Sequence, residues 1–296
     1  MERIVERLRP WLTWLPVERL RHPPPTVAVL RLSGPIGQIG SLRTGMSLAR
    51  IAPLIERAFA LPQLKAVALA INSPGGSAAQ AALIAKRIRD LATEKNVPVV
   101  AFAEDVAASG GYWIACAADE IYADANSIIG SIGVIAASFG FPDLLRRIGV
   151  QRRVYTAGER KSMLDPFQPE EPDDIERLRA VQHQIHQNFQ DWVHIRRGDR
   201  LKGLDGELFS GEFWVGPRAL ELGLIDGLGD LRTKMRGVFG EDVRLKLVAP
   251  STSWLRRRRS IFAEAGGFDF SLSPGGFAAD LISAIETRSL WSRFGL

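Results

Sequence analysis

The chain has 296 residues, 46% of them apolar and 24% charged, with a formal net charge of +5, a balance that suits a globular protein with one substantial core and extensions at its ends. Its single cysteine, Cys116, excludes an intramolecular disulfide and suits a reducing compartment. The longest weakly polar run near the N-terminus, PWLTWLPV, covers 8 residues and holds two prolines, which excludes a membrane-spanning helix there.

Residues 1–22 lack the apolar segment and small-residue cleavage site of a secretory signal, and Glu2, Glu6 and Glu18 punctuate them. Ile4, Leu8, Leu12 and Leu15 share one helical face interrupted by Pro10, so this stretch reads as an interfacial segment. Basic residues concentrate near both ends, in RLRPWLTWLPVERLRH (7–22) and WLRRRRSIF (254–262), interleaved with Trp, Leu, Ile and Phe. That mixture points to an anionic membrane surface rather than to nucleic acid, with a solvated basic patch as the alternative.

After the stiff linker HPPPT (22–26) a regular alternation begins. Strands are predicted over TVAVLRL (26–32), LKAVALAIN (64–72) and VPVVAFA (97–103), and helices over MSLARIAPLIERAFA (46–60) and AALIAKRIRDLATEK (81–95). Near-continuous apolar strands alternating with amphipathic helices imply an α/β protein whose parallel sheet is covered on both faces. Beyond them come a helix after Ser109, strands at DEIYAD (119–124) and SIGVIAA (131–137), a helix around PDLLRRIG (142–149), and a strand at RRVYTA (152–157). A long polar helix then covers roughly 170–197, and the core closes near 248. The division expected is 1–25, an amphipathic basic segment and linker; 26–248, the folded domain; and 249–296, an extension in which only 277–294 reads as a helix.

Three places at strand ends are able to carry chemistry. INSPGGS (71–77) joins a strand to a helix through a Gly-Gly pair, a turn suited to form half of an oxyanion hole, or simply a tight turn. ASGGYW (108–113) sets Ser109 at a strand-to-helix junction with the Gly110 N–H just beyond it, the logic of a nucleophile elbow without its usual sequence. A helix N-cap is the alternative role for that serine. A serine nucleophile needs a base, and histidine is absent between residues 23 and 182; His183, His186 and His194 read most simply as solvated residues of the polar helix. A metal half-site at His183 and His186 lacks the accompanying ligands, so no metal or other cofactor is expected. The third place is YTAGERKSMLDPF (155–167). The chain has 7 lysines against 31 arginines, and Lys161 stands alone between Lys95 and Lys202. A buried lysine loses its proton readily and arginine does not, so Lys161, if folded against Ser109, is the candidate general base; otherwise it is a surface lysine.

NSPGG (72–76), ASGGYW (108–113), GSIGV (130–134) and GERKSMLDPF (158–167), in this order and spacing, resemble the signal peptide peptidase A, or protease IV, serine peptidases, which share a fold with the Clp protease and the crotonases. The resemblance covers about residues 26–248 and implies a spiral core of repeated β-β-α units. It implies Ser109 as nucleophile, Lys161 as general base, Ser131 as a hydroxyl orienting the lysine amine, and the N–H groups of Gly76 and Gly110 as the oxyanion pair, donors worth about 3 kcal/mol each. A turn serine is the other reading of Ser131. The expectation is a cofactor-free endopeptidase acting on short or unfolded apolar peptides such as cleaved signal peptides. It would be a homo-oligomer, cytoplasmic and peripheral on the inner face of the cell membrane, with no nucleic-acid partner. Relatives commonly carry a membrane anchor and face outward, whereas nothing in this sequence is able to span a bilayer. The apolar ending LWSRFGL is a candidate self-inhibitor. The competing readings are an acyl-CoA-processing enzyme using the same oxyanion turns and a catalytically silent membrane scaffold.

Overall fold

Strands buried on both faces need a layer on each side, and this requirement organises the computed structural model, which describes residues 23–39, 43–249 and 288–295. The first strand, β1 (Thr26–Ser33), leads through the short pair β2 (Gln38–Ile39) and β3 (Arg43–Thr44) into helix α1 (Leu48–Phe59). Helix α1 buries Ile51, Ile55, Ala58 and Phe59, the spacing of one helical face. Strand β4 (Leu64–Ser73) follows, buried over six consecutive residues from Ala66 to Ile71. Helix α2 (Ala78–Lys95) starts where the Ser77 side chain accepts from the Gln80 N–H and stops at Asn96 in the left-handed conformation. Strand β5 (Val99–Ala108) then ends at Ser109, helix α3 (Gly110–Ala115) begins at once, and β6 (Glu120–Ala123) and β7 (Ile128–Gly130) complete this half.

The second half contains α4 (Pro142–Arg147), the 26-residue α5 (Pro172–Arg197), α6 (Asp205–Leu208), β8 (Phe213–Val215), α7 (Gly216–Glu221) and β9 (Gly227–Leu228). Helix α8 (Leu231–Phe239), capped by Asp230 accepting from the Thr233 N–H, leads to β10 (Arg244–Leu247). The main sheet runs β10-β1-β4-β5-β6-β9, with every neighbouring pair parallel. One large apolar layer joins the sheet to α1, α2, α3 and α5, and a smaller one, built on Val27, Ala68, Phe102, Met235 and Val243, fills the opposite face beneath α8. This is the mixed α/β architecture expected from the alternation, closed by β10 against β1 near residue 248.

Strand β5 forks. Its residues Val100–Ala103 pair with β6, and Val106–Ala108 pair with β7, which turns antiparallel against β8. The predicted strand at 131–137 is therefore displaced to Ile128–Gly130, because Ser131 takes φ 51 and breaks the extended path. The predicted strand at 152–157 does not form: those residues are exposed and lie beside no strand. From 133 to 171 no residue is buried, so this excursion has no core of its own. The predicted interfacial segment at 1–22 lies outside the described residues; of the predicted helix at 277–294, residues 288–292 are described and are helical.

Helix α5 is tied to the sheet by arginines. Arg197, 1% exposed at its side chain, donates to the Gly223 carbonyl and pairs with Asp226 at 2.7 Å, and Arg200 adds a second contact to Asp226. Burial pushes the Asp226 carboxyl upward, yet the hydrogen bonds and charge of Arg197, with the Ile121 N–H and Arg200, outweigh it and hold the group below its ordinary range. Arg197→Ala is expected to cost about 3 kcal/mol or more, since it strands Asp226 in a partly buried site, measurable as a lowered urea midpoint. A depressed folded pKa contributes stability above the unfolded value. The advantage of the wild type over Asp226→Asn should therefore hold from neutral pH to about pH 3.9 and shrink as the pH falls further.

Candidate active site

Ser109 occupies the junction of β5 and α3 with φ 52 and ψ −122, a conformation that L-residues with side chains rarely adopt. Its N–H donates to the Gly130 carbonyl at 2.8 Å, and its own carbonyl accepts from Trp113, the first bond of α3. The side chain is half-buried and makes no capping bond, so Ser109 stands at an N-cap position without doing a cap's work. The strain is concentrated on one hydroxyl whose position the sheet and helix fix from both sides.

The turn after β4 presses directly on this serine. Gly75 (φ +100) and Gly76 (φ +138) adopt angles that favour glycine, and a Cβ at Gly75 would come within 2.7 Å of the Ser109 Cβ and 2.8 Å of the Gly110 nitrogen. Ile36 pins the turn: its N–H donates to the Gly75 carbonyl and its carbonyl accepts from the Ser77 N–H. Those bonds use the atoms on either side of Gly76 and leave its own N–H without an acceptor among the described residues. The Gly110 N–H, at the first position of α3, is likewise one of the helix's unpaired donors. Gly76, Ser109 and Gly110 are therefore gathered in one place.

Ser131 joins them through strand register. Ala108 pairs with Gly130, so the next residue on each strand is a serine, and both carry positive φ. Ser131 is 4% exposed, and its N–H donates to the Glu212 carbonyl at 2.7 Å. Lys161 is not brought to this cluster. It sits on an exposed turn within the 133–171 excursion, its N–H donating to the Gly158 carbonyl, and no hydrogen bond joins its side chain to Ser109 or Ser131. The excursion carries exposed apolar residues throughout, among them Ile135, Phe139, Leu144, Ile148 and Tyr155, the last 90% exposed.

Two contacts go beyond what local periodicity reveals. Phe294 of the C-terminal segment is buried against Val106 and Ala108, with Ile128 beside them and Phe213 edge-on at 5.1 Å. It thus lies against the residue that precedes Ser109, next to a cleft of about 710 Å³ lined by Phe102, Glu104, Asp105, Ser127 and Ile128. The second is His186, expected in solvent, whose Nε2 lies 3.1 Å from the Ile132 carbonyl. His183 is exposed as expected, and His194 packs on Phe209 and lies 3.5 Å from Asp205. Only three-dimensional contact reveals the first two; the apolar ending of the chain was the sole hint of Phe294.

Comparison with known proteins places relatives of this chain among peptidases. Residues 92–238 match the model of peptidase family S49. A protein of Brucella abortus named Na(+)/H(+) antiporter NhaA is 51% identical over 283 residues, 94% of this chain and 38% of that one. The chloroplastic serine protease SPPA of Arabidopsis thaliana is 35% identical over 213 residues, 69% of this chain and 31% of that one. Protease 4 of Haemophilus influenzae is 32% identical over 225 residues, 74% of this chain and 35% of that one. The chain spans less than two fifths of the length of each of these relatives.

Because Gly75 has no room for a methyl group, Gly75→Ala should displace Ser109 and slow its phosphonylation by a fluorophosphonate about a hundredfold, with the far-ultraviolet circular dichroism unchanged. Labelling at the wild-type rate would show that the close approach of the two turns does not matter.

Proposed function

Taking as premise that this chain belongs to peptidase family S49, we propose that it is a serine endopeptidase acting by acyl transfer at Ser109, on short or unfolded apolar peptides such as cleaved signal peptides. The observation that carries the reading is the backbone of Ser109, strained at φ 52 beside two glycine N–H groups that have no acceptor among the described residues. Strain of this kind persists where surrounding structure over-determines it and is characteristic of functional sites.

In the proposed reaction the Lys161 amine takes the Ser109 proton as Oγ bonds to the peptide carbonyl carbon. The oxyanion so formed accepts from the Gly76 and Gly110 N–H groups. The lysine ammonium then protonates the departing amine as the C–N bond breaks, leaving an ester on Ser109. Water, deprotonated by the same amine, attacks the ester; the bond to Oγ breaks, the lysine ammonium returns its proton to Ser109, and the carboxylic acid leaves. Ser131, beside Ser109 in the register, holds the lysine amine in line. The chemistry needs no metal or nucleotide.

Desolvation of its charged form lets a lysine act as a base near neutral pH, and Lys161 in the single chain is exposed. The apolar residues around it supply the means. We propose that the chain assembles with further copies of itself, burying the 133–171 excursion and desolvating Lys161 together with it. The two basic, apolar ends are proposed to hold the assembly to an anionic membrane surface.

Hydrolysis of a fluorogenic signal-peptide-like substrate should fall by about a thousandfold or more in both Ser109→Ala and Lys161→Ala. Full activity in Lys161→Ala would assign the base elsewhere. Because Phe294 lies against Ala108, a chain ending at residue 287 should hydrolyse the same peptide faster than the full chain; no gain would count against a self-inhibiting tail.

A further inference from the structure

Helix α5 does more than cover the sheet: its side chains hold the elements on which Ser109 and Ser131 stand. Phe189 stacks on Trp113 of α3 with ring centroids 4.6 Å apart, and Trp192 Nε1 donates to the Trp113 carbonyl at 3.0 Å. Arg196 donates to the carbonyls of Cys116 and Ala118, which close the end of α3. One contact on this helix reaches past α3 to the other serine. His186, one turn before Gln190, meets the Ile132 carbonyl, the group immediately after Ser131.

The chemistry of that contact is one-directional. A carbonyl oxygen only accepts, so Nε2 of His186 carries a proton and donates to it; Gln190 Nε2 lies 3.3 Å from His186 Nε2 and 3.4 Å from its Nδ1. The turn it grips has few other restraints: the Ser131 N–H is tied to the Glu212 carbonyl, the Ser131 carbonyl accepts from the Gly133 N–H, and the Ile132 side chain is fully buried. Beyond Gly133 the chain enters the exposed excursion. His186 thus contacts this turn just before the excursion begins, and within the turn Ser131 keeps φ 51.

We propose that His186 is a positioning residue, fixing the Ser131 turn against α5 so that the Ser131 hydroxyl stays beside Ser109. The proposal rests on the reading of Ser109 as nucleophile and Ser131 as its partner. His186 itself touches no reacting atom; it acts through the Ile132 carbonyl. Glutamine is able to offer an amide N–H at a similar reach to Nε2, whereas leucine fills much of the volume and donates nothing.

The experiment compares the full chain with His186→Gln and His186→Leu by two independent readouts. Amide hydrogen exchange of peptides spanning 128–134 should be several-fold faster in His186→Leu and close to the wild type in His186→Gln. The kcat for the fluorogenic peptide should fall about tenfold in His186→Leu at a KM within about twofold of the wild type, with recovery in His186→Gln. In a Ser131→Ala background, His186→Leu should cause no further loss, because the two residues act through one turn. Unchanged exchange in His186→Leu overturns the proposal whatever the activity, and so does a loss of kcat that simply multiplies with that of Ser131→Ala. Faster exchange in a protein whose wild type neither hydrolyses peptide nor takes up a fluorophosphonate would instead retain the clamp and reject the peptidase reading.

Discussion

Everything around Ser109 depends on the fork in β5. A single strand pairs with β6 through Val100–Ala103 and, after two residues that face neither partner, with β7 through Val106–Ala108. The second pairing, through Ala108 and Gly130, sets Ser109 level with Ser131. The bond from the Ser109 N–H to the Gly130 carbonyl extends that pairing by one step. Without the switch of partner, Ser109 and Ser131 would belong to unrelated ends of the sheet.

The strain at Ser109 is borne by groups with no freedom to relax. The β4 turn is fixed by Ile36, α3 is gripped by Trp192 and Arg196, and α5 is anchored by Arg197 on Asp226. These anchors give the chain's preference for arginine a structural meaning. Arg196, Arg197 and Arg200 each reach more than one acceptor, several of them main-chain carbonyls, with a planar fork that lysine does not have. Lysine is left for positions that do not need the fork.

How much of this was legible in the sequence follows from range. Helices α1 and α2, strands β1, β4 and β5, and the long α5 came from local periodicity, because their burial is set by residues within a few turns of one another. The grouping of Gly76, Ser109, Gly110 and Ser131 came from the resemblance of NSPGG, ASGGYW and GSIGV to a known family rather than from periodicity, which set Ser131 at the start of a strand. Residues 131–137 and 152–157 misled because an apolar or alternating run predicts a strand only where a neighbour exists to pair with it. The first lost its extended path at Ser131, and the second had no edge to join. His186 was out of reach because its partner lies 54 residues away; for Phe294, whose partners Val106 and Ala108 lie more than 180 residues away, the sequence offered only the apolar ending LWSRFGL as a candidate self-inhibitor.

The excursion over 133–171 has a consequence for how this chain is able to vary. With no residue of its own in the core, it contributes little to the cooperative unit that melts with the sheet. Substitutions there escape the penalty that core changes incur, so its surface is free to drift, or to be selected, on the strength of what it meets. Thermal stability and competence for catalysis are then separable properties of one chain: a variant is able to keep its full melting temperature and lose its function entirely, and a melting curve would not tell the two apart.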